Sequence, residues 1–243
     1  MRNNLYQETK KFWYQKKPLW GILTLFILMY YSLITGHHNK MDIIQLFGAS
    51  QWISIILVTI SSDFLSMEYR DNTIITMLYK SSNQFNIYFS KIITLVLYSV
   101  LLSLCGIVFT ILETIFSHQL LTINILRALI CNMIEIFLYT IFIVTLSLLL
   151  ISLVKIDAIV ILIGLMLGFL GATFSNIFTS LFHTWDRVIR WNPLNMIYII
   201  NQLSDSKYFK YSLLNNMQLV LGTIGYAMIF LVIGYWTFKN RRV

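Results

Sequence analysis

The chain has 243 residues, of which 58% are hydrophobic and 12% are charged, and its mean hydropathy is +0.73. Ordinary soluble domains carry about 25% charged residues, so this composition excludes a soluble globular protein and predicts an integral membrane protein. The net charge of +8 at pH 7 does not indicate nucleic-acid binding, because the basic residues are divided among separate segments, where anionic lipid headgroups attract them.

Residues 1–17 form a basic and aromatic segment that precedes the first apolar run. Leu5, Phe12 and Trp13 fall on one face of a helix, whereas Lys10 and Lys11 fall on others. This pattern predicts an amphipathic helix that lies in the membrane interface.

Six apolar runs are long enough to cross a membrane, which takes about 20 helical residues. They cover residues 19–36, 46–65, 92–116, 129–154, 156–182 and 219–238. The fourth and fifth runs are nearly continuous, and a single helix over both would far exceed a hydrocarbon core of about 30 Å. We therefore expect a tight turn at Val154-Lys155-Ile156-Asp157. The predicted fold is an all-α membrane protein with one domain and six transmembrane helices.

The basic residues flank the runs unevenly. With the N-terminus inside, the cytoplasmic segments hold most of the 18 Lys and Arg residues, including those before the first run and those after the last. Cytoplasmic loops of membrane proteins carry such an excess. We therefore expect N-in, C-in topology.

Small and aromatic residues recur inside two of the runs. Gly164, Gly168 and Gly171 have a spacing that lets membrane helices approach closely, either within the chain or across a dimer axis. An aromatic group in the first run fits either a membrane belt or a lining that faces a translocation pathway. Its members are Phe26, Met29, Tyr30 and Tyr31.

Ionisable residues also lie inside the predicted spans, at Asp63, Glu113 and Glu135. Such residues are functional candidates, because a charge is costly in a membrane. They are dispersed, and the chain shows no convincing internal repeat of the kind that secondary transporters use. We therefore favour structural positions over a proton relay, with Glu113 and Glu135 either interfacial or paired with Arg127.

The sequence contains no motif for catalysis or metal binding. No G-x-x-x-x-G-K-[ST] phosphate loop, G-x-S-x-G elbow or H-E-x-x-H pattern occurs. Cys105 and Cys131 do not form a C-x-x-C pair and fall inside predicted spans. We expect that the chain is not an enzyme, has no catalytic residues, and binds neither a metal nor a cofactor.

Residues 183–218 form the longest connection, which the topology places outside the cell. Its stretch Trp191 to Leu203 is apolar but too short to cross a membrane, so it suits a re-entrant or interfacial helix. Asn192 followed by Pro193 favours a helix start. We expect short outer helices between the fifth and sixth spans.

The most informative feature is a polar cassette, Glu68 to Lys80, between the second and third runs. Its apolar residues, Ile74, Ile75, Met77 and Leu78, fall on one side of a short helix. A polar segment with one apolar helical side predicts a cytoplasmic docking helix, and we place it at residues 68–82.

The cassette and the layout resemble the permease subunits of ABC transporters of the ABC-2 exporter type. In that family an interfacial helix precedes six spans, and the segment after the second span reads as an acidic residue, Thr, an apolar stretch and a Lys at the third span. Here these elements are Glu68, Thr73, residues 74–78 and Lys91. The Pro-x-x-Arg that usually follows the apolar stretch is replaced by Ser81-Ser82-Asn83-Gln84.

The resemblance implies an export subunit that works as a dimer, with a second copy or a paralogue, and that carries a separate cytoplasmic ATPase binding ATP and Mg. The first, second and fifth spans would line the pathway. The cassette would be the coupling helix, with a set of residues that contact or support the ATPase. These are Glu68, Arg70, Thr73, Met77, Leu78, Tyr79 and Lys80.

The chain is also similar to Gram-positive permeases that export phenol-soluble modulins or confer lantibiotic or bacitracin immunity. This similarity implies amphipathic or hydrophobic peptide cargo, a role in antimicrobial resistance and a multi-pass position in the bacterial plasma membrane. Two alternatives stay open, namely a gradient-driven secondary transporter and a membrane immunity or binding protein that does not transport.

Overall fold

A computed structural model describes residues 2–35, 43–70, 84–116, 122–154, 156–181 and 186–239 of the chain. These residues form helices and short connections, with no strand among them. Within this part of the chain, six helices are long and apolar enough to cross a membrane. The described residues are therefore helical, and their six candidate spans indicate a multi-pass membrane protein.

The long helices follow an N-terminal amphipathic helix and are joined by short elements. In chain order the α-helices are α1 (Arg2–Tyr14), α2 (Lys17–Thr35), α3 (Ala49–Arg70), α4 (Gln84–Phe116), α5 (Ile123–Val154), α6 (Asp157–Leu181), α7 (Asp186–Ile189), α8 (Ile199–Gln202), α9 (Phe209–Ser212) and α10 (Asn216–Lys239). Short 3-10 helices cover Leu46–Gly48, Pro193–Tyr198 and Ser206–Tyr208.

Two of the long helices begin earlier than the apolar runs predicted. Helix α4 starts at Gln84, ahead of the expected position 92, and α5 starts at Ile123, ahead of position 129. Hydropathy placed Lys91 at a membrane border, but this lysine is buried inside the bundle. A charged side chain that is paired within the protein does not end a helix.

The turn between α5 and α6 lies where we expected it. Helix α5 ends at Val154 and α6 begins at Asp157, whose carboxylate accepts a hydrogen bond from the backbone N–H of Ala158 at 3.0 Å. An acidic side chain is favourable at a helix N-terminus, because the first N–H groups carry partial positive charge.

Helices α3 and α5 form the centre of the bundle. Helix α5 packs against α3, α4, α6 and α10, and α3 also contacts α2 and α6. The apolar surfaces of α2, α6 and α10 are largely exposed on the outside. In a membrane protein these exposed faces meet lipid or another protein chain.

The junction between α1 and α2 is fixed by a contact with α4. Lys16 has a φ of 57°, so the chain changes direction before α2 begins. The hydroxyl of Tyr98 on α4 then donates a hydrogen bond to the carbonyl of Pro18 at 2.8 Å. Gly21 makes this approach possible, since a Cβ at this position would overlap the Tyr98 hydroxyl.

Both ends of the described chain lie at one end of the bundle, which we call the base. The base carries α1, the end of α3 and the start of α4. Helix α10 also ends there, since the rings of Tyr88 and Phe238 pack with centroids 5.4 Å apart. The hydroxyls of Ser152 and Thr237 form a hydrogen bond at 2.7 Å close by.

The opposite end holds a cap segment, residues 191–212, that dips between the long helices. The Tyr198 hydroxyl donates to Asn176 Oδ1 at 2.9 Å, and its oxygen lies 3.2 Å from the carbonyl oxygen of Ala172. Ala172 lies about 14 Å from the end of α6, at a rise of ~1.5 Å per residue. The segment is therefore re-entrant in geometry, with Met196 and Ile199 fully buried.

Buried amides hold the cap segment in place. Asn192 is the N-cap of the Pro193–Tyr198 helix, and its side chain accepts the N–H of Asn195 at 2.8 Å. The Asn195 amide donates to the Ser212 carbonyl at 2.8 Å, and the Gln202 amide donates to the Leu214 carbonyl at 2.8 Å. These bonds satisfy backbone groups that a membrane protein interior would otherwise leave unpaired.

Candidate functional site

A cluster of charged side chains lies at the base, and we call Glu8, Lys11, Glu68 and Lys91 the base charge cluster. Lys91 Nζ donates to Glu8 Oε2 at 2.9 Å and to Glu68 Oε1 at 2.5 Å. Lys11 Nζ donates to the same Glu68 oxygen at 2.7 Å. Lys91, Glu8 and Glu68 are buried, whereas Lys11 is partly exposed.

The base charge cluster joins separate helices. Glu8 and Lys11 lie one turn apart on α1, Glu68 lies near the end of α3, and Lys91 lies near the start of α4. Desolvating each ion costs several kcal/mol, so a buried charge persists where partners and hydrogen bonds compensate it. The cluster therefore ties α1, α3 and α4 into a single arrangement.

Aromatic rings pack beside this cluster. The Phe12 ring lies 5.2 Å from that of Phe64 and 5.1 Å from that of Tyr98, centroid to centroid, and both pairs meet edge to face. Lys91 Nζ lies 4.5 Å from the centroid of Phe64, within range of a cation–π contact. The aromatic contacts exclude water and join the same helices as the ion pairs.

One cluster oxygen faces no partner in the part of the chain that the structure describes. Glu68 Oε2 is buried, and no described residue donates a hydrogen bond to it. Glu68 lies two residues before the end of α3, so this oxygen lies close to the end of the described part of that helix.

The structure places the predicted coupling residues in two groups. Glu68 belongs to the base charge cluster, and the backbone of Arg70 ends α3. The other predicted coupling residues lie outside the described residues, and so does the predicted helix at 68–82 beyond Arg70. They are Thr73, Met77, Leu78, Tyr79 and Lys80.

An open groove of about 450 Å³ lies between α2, α3 and α6, in the half of the bundle nearer the base. Its walls are mostly apolar, with Trp20 and Gly21 from α2, Ile56 from α3 and Ile161 from α6. Thr24 and Thr59 add hydroxyl groups. The groove is therefore a largely apolar surface that opens to the outside of the chain.

Charged residues mark the base end of this groove. Lys17 Nζ donates to Asp63 Oδ2 at 2.5 Å, and both side chains are partly exposed. Asp157, at the start of α6, lines the same end. Apolar walls with a charged end suit a molecule that has both polar and apolar parts.

The predicted pathway residues of the first span lie outside this groove. Met29 is fully buried inside the bundle, and the Phe26 ring packs against Phe109 with centroids 6.0 Å apart. Tyr30 and Tyr31 are exposed on the outer surface. The residues of α2 that line the groove lie nearer the base. An aromatic pattern in the sequence does not show which half of a helix borders a cavity, so the prediction chose the wrong half for this groove.

The predicted glycine contacts lie within the chain. A Cβ on Gly164 would overlap Val58 of α3, and a Cβ on Gly168 would lie 2.9 Å from Ile55 Cγ1. At Gly171 the neighbour is Ile197 of the cap segment, whose Cδ1 would be 3.0 Å from the added carbon. Helix α6 thus approaches α3 as closely as glycine allows.

Glu135 has a different partner from Arg127, which was one of the two possibilities that its position in the sequence left open. Its carboxylate is fully buried on α5, and accepts the Ser204 N–H at 2.7 Å and the Ser204 hydroxyl at 3.2 Å. Arg127 is exposed. The pairing with Arg127 was wrong for Glu135, because the cap segment dips far enough to bring its own donors to α5.

Two tyrosines of the cap segment, Tyr198 and Tyr208, keep their hydroxyl protons. Burial raises the pKa of the Tyr198 phenol, although its hydrogen bond to Asn176 partly opposes the shift. Burial also raises the pKa of Tyr208, whose oxygen accepts a hydrogen bond from Gln45 at 3.1 Å. Both groups therefore act as neutral hydrogen-bonding anchors.

One protein family accounts for nearly the whole chain. The family described as protein of unknown function (DUF2705) matches residues 10–243. The chain belongs to the DUF2705 family. No curated protein matches it. The match covers all six long helices and leaves out only the first residues of α1 in this DUF2705 protein.

Two features of this DUF2705 protein were not found from its sequence. Glu8 lies in a segment that composition marked only as an interfacial anchor, yet its carboxylate accepts a hydrogen bond from Lys91 of α4. Lys17 and Asp63 pair across the groove end although they are far apart in the chain. An acidic residue in a basic amphipathic helix was the available signal for Glu8, but spacing along the chain gave no signal for the Lys17–Asp63 pair.

Proposed function

We propose that this chain is the membrane permease subunit of an ATP-driven exporter of the ABC-2 type. Its cargo would be amphipathic or hydrophobic, with toxin-like or antimicrobial peptides as the leading class. The observation that carries the proposal is the groove between α2, α3 and α6. These are the first, second and fifth spans, which the resemblance implies as the lining of the pathway.

The groove chemistry supports an amphipathic cargo. Trp20, Ile56 and Ile161 offer apolar walls, and Lys17, Asp63 and Asp157 offer charges at one end. A peptide with one apolar face and one charged face gains from both surfaces. A sugar would leave the apolar walls uncovered, and a small ion would fill little of about 450 Å³.

The base charge cluster supports a coupling role for the cassette. Residues 71–83 connect α3 to α4, and the cluster clamps the end of α3 to the start of α4 and to α1. Under the proposal, an ATPase bound to the cassette would move α1, α3 and α4 together. ATP and Mg would be bound by that partner subunit.

The exposed outer faces support a dimer. Helices α2 and α6 flank the groove, and each keeps most of its apolar surface outside the bundle. A second permease copy placed against them would close the groove into a pathway. Both copies would lie in the bacterial plasma membrane, with the base in the cytoplasm.

The test begins with affinity purification of the tagged chain from its native membrane. We expect a stoichiometric ATP-binding protein to co-purify, with ATPase activity that changes when amphipathic peptides are added. Leu78→Glu should abolish co-purification, because a charge would enter the apolar face of the docking helix. Ser81→Glu, which places the same charge on a polar position of the same segment, should leave it intact.

Groove variants test the pathway separately from the partner. Thr59→Trp should retain the ATPase and lose peptide-stimulated turnover, because the added ring fills the groove. Isolation of a lone chain without ATPase activity, under conditions that preserve membrane complexes, would contradict the exporter.

A gradient-driven carrier is the second candidate, and the burial of Glu135 favours it. This carboxylate lies inside a membrane-spanning helix and is held by Ser204, which is a setting in which proton-coupled transporters place their carboxylates. Transport by the purified chain alone in vesicles, driven by a pH gradient without ATP, would select this candidate. Peptide binding without transport in either assay would indicate an immunity or binding protein.

A further inference from the structure

A second cavity lies nearer the cap end than the groove and is lined by other residues of α6. It has a volume of about 180 Å³ and lies between α5, α6, α10 and the Pro193–Tyr198 helix. Its lining includes the rings of Tyr139, Phe142 and Phe230 and the side chains of Leu146 and Leu167. Almost all of this lining is apolar.

The cavity is partly open and lies beside the gap between α6 and α10. Helices α6 and α10 both pack against α5, but among the described residues they make few contacts with each other. The gap between them is closed at the back by α5, where the rings of Tyr139 and Phe142 stack with centroids 5.6 Å apart. At the cap end, Gly171 and Ile197 approach closely and close the gap.

The surroundings of this opening are those of the membrane. Leu170 on α6 and Ile229 on α10 are exposed beside the gap, and both helices are long and apolar enough to span the bilayer. The outer surface of a helix that crosses the bilayer is surrounded by lipid acyl chains. A cavity that opens between two such helices therefore meets hydrocarbon before it meets water.

Size and chemistry select the same occupant. A cavity of about 150 Å³ lined by Leu, Ile and Phe stays dry and takes up a small hydrocarbon. The cavity here is slightly larger, equally apolar and open on one side, so it fits part of a flexible chain whose remainder stays in the bilayer.

We propose that this cavity is a lateral binding site for one acyl chain of a membrane phospholipid, which enters between α6 and α10. The site is distinct from the groove and does not depend on the proposed transport function. A bound chain would fill the space between α5 and the cap segment and hold the Pro193–Tyr198 helix against α6 and α10.

The experiment uses the full-length protein in nanodiscs of phosphatidylglycerol that carry a diazirine on one acyl chain. After illumination, mass spectrometry locates the labelled residues. We expect labels on Leu146, Leu167 and their neighbours inside the cavity, in addition to the exposed residues that any surrounding lipid reaches.

A variant whose cavity is filled by a larger side chain should show less labelling of the residues inside the cavity. Leu167→Trp places a larger ring in the cavity and should reduce labelling of Leu146 about tenfold, as expected when roughly two methylene groups are displaced from an apolar site. Leu162→Trp adds the same ring at an exposed position of α6 that lines neither the cavity nor the groove, and it should keep full labelling. Leu146→Phe, read out at Leu167, replaces the first variant if Leu167→Trp fails to fold.

Two results would overturn the proposal. In the first, labels in the unaltered protein are confined to exposed residues such as Leu170. In the second, an amphipathic peptide that is present in far smaller amounts than the lipid prevents labelling of the residues inside the cavity. That result would assign the cavity to cargo and not to lipid.

Discussion

Lys91 is a charged residue with no exposure, and its partners come from two other helices. Such a group adds little to stability when it replaces a well-packed apolar side chain, but removing one partner leaves the others buried without compensation. We therefore expect its main effect to be on the position of α1, which its ion pair with Glu8 ties to α4.

Lys91→Met should destabilise the protein by about 3–5 kcal/mol, because Glu8 and Glu68 would be left as buried carboxylates without their shared cation. Lys17→Met removes a lysine from a partly exposed pair with Asp63 and should cost about 1 kcal/mol or less. Unfolding of both purified variants by denaturant titration in one detergent compares them directly.

A double variant, Glu68→Gln with Lys91→Met, serves as the control for this comparison. It removes both charges of the shortest pair and should recover part of the lost stability. Equal stability of Lys91→Met and the unaltered protein would mean that the base charge cluster does not hold α1, α3 and α4 together.

At the scale of elements, the contact between α6 and α3 depends on glycines, because any larger side chain would hold the two helices apart. Gly164 lies against Val58, and any Cβ there must displace α3 or α6. Membrane helices gain no hydrophobic free energy by associating, because lipid is as apolar as their side chains. Close packing of this kind stabilises the association instead.

Gly164→Ala should destabilise the bundle by about 1–3 kcal/mol, because the added methyl group overpacks a tight contact. Gly225→Ala on α10 is the matched control, since no atom lies within 4 Å of the position that its Cβ would take. It should leave stability unchanged or raise it by up to about 1 kcal/mol, through better helix propensity. Thermal aggregation midpoints in detergent provide the readout, and a larger loss in Gly225→Ala would contradict the packing.

The long helices were predictable because hydropathy alone identifies a membrane span. The turn at Val154–Asp157 was predictable for the same reason, since a double-length helix does not fit a bilayer. Helix α4 was predicted too short, because Lys91 looks like a border residue until its buried partners are known. The groove and the base charge cluster depend on which helices meet, and one sequence without contacts does not specify that.

At the scale of the whole molecule, α1 and the end of α10 lie together at the base, and the cap segment lies at the other end. This arrangement agrees with an even number of spans. Combined with the excess of basic residues at the base, it predicts that both termini face the cytoplasm.

Cysteine labelling in intact cells tests this orientation in a variant whose Cys105 and Cys131 are replaced by alanine. A membrane-impermeant maleimide should label Lys207→Cys in the cap segment, which is exposed. Asn3→Cys and Asn240→Cys should react only after the cells are permeabilised. The reverse pattern would invert the topology and place the proposed ATPase contact on the wrong side.

The hydrogen bond from Tyr98 to Pro18 passes over Gly21, so the two helices share one steric constraint. A side chain at position 21 would displace the Tyr98 hydroxyl and crowd Ile60 and Ile56, so it would remove the Tyr98 hydrogen bond to the Pro18 carbonyl unless position 98 changes too. Within the DUF2705 family we therefore expect positions 21 and 98 to be inherited as a pair. Covariation of these two positions among the family's sequences would be evidence for the α2–α4 contact that does not depend on any structure.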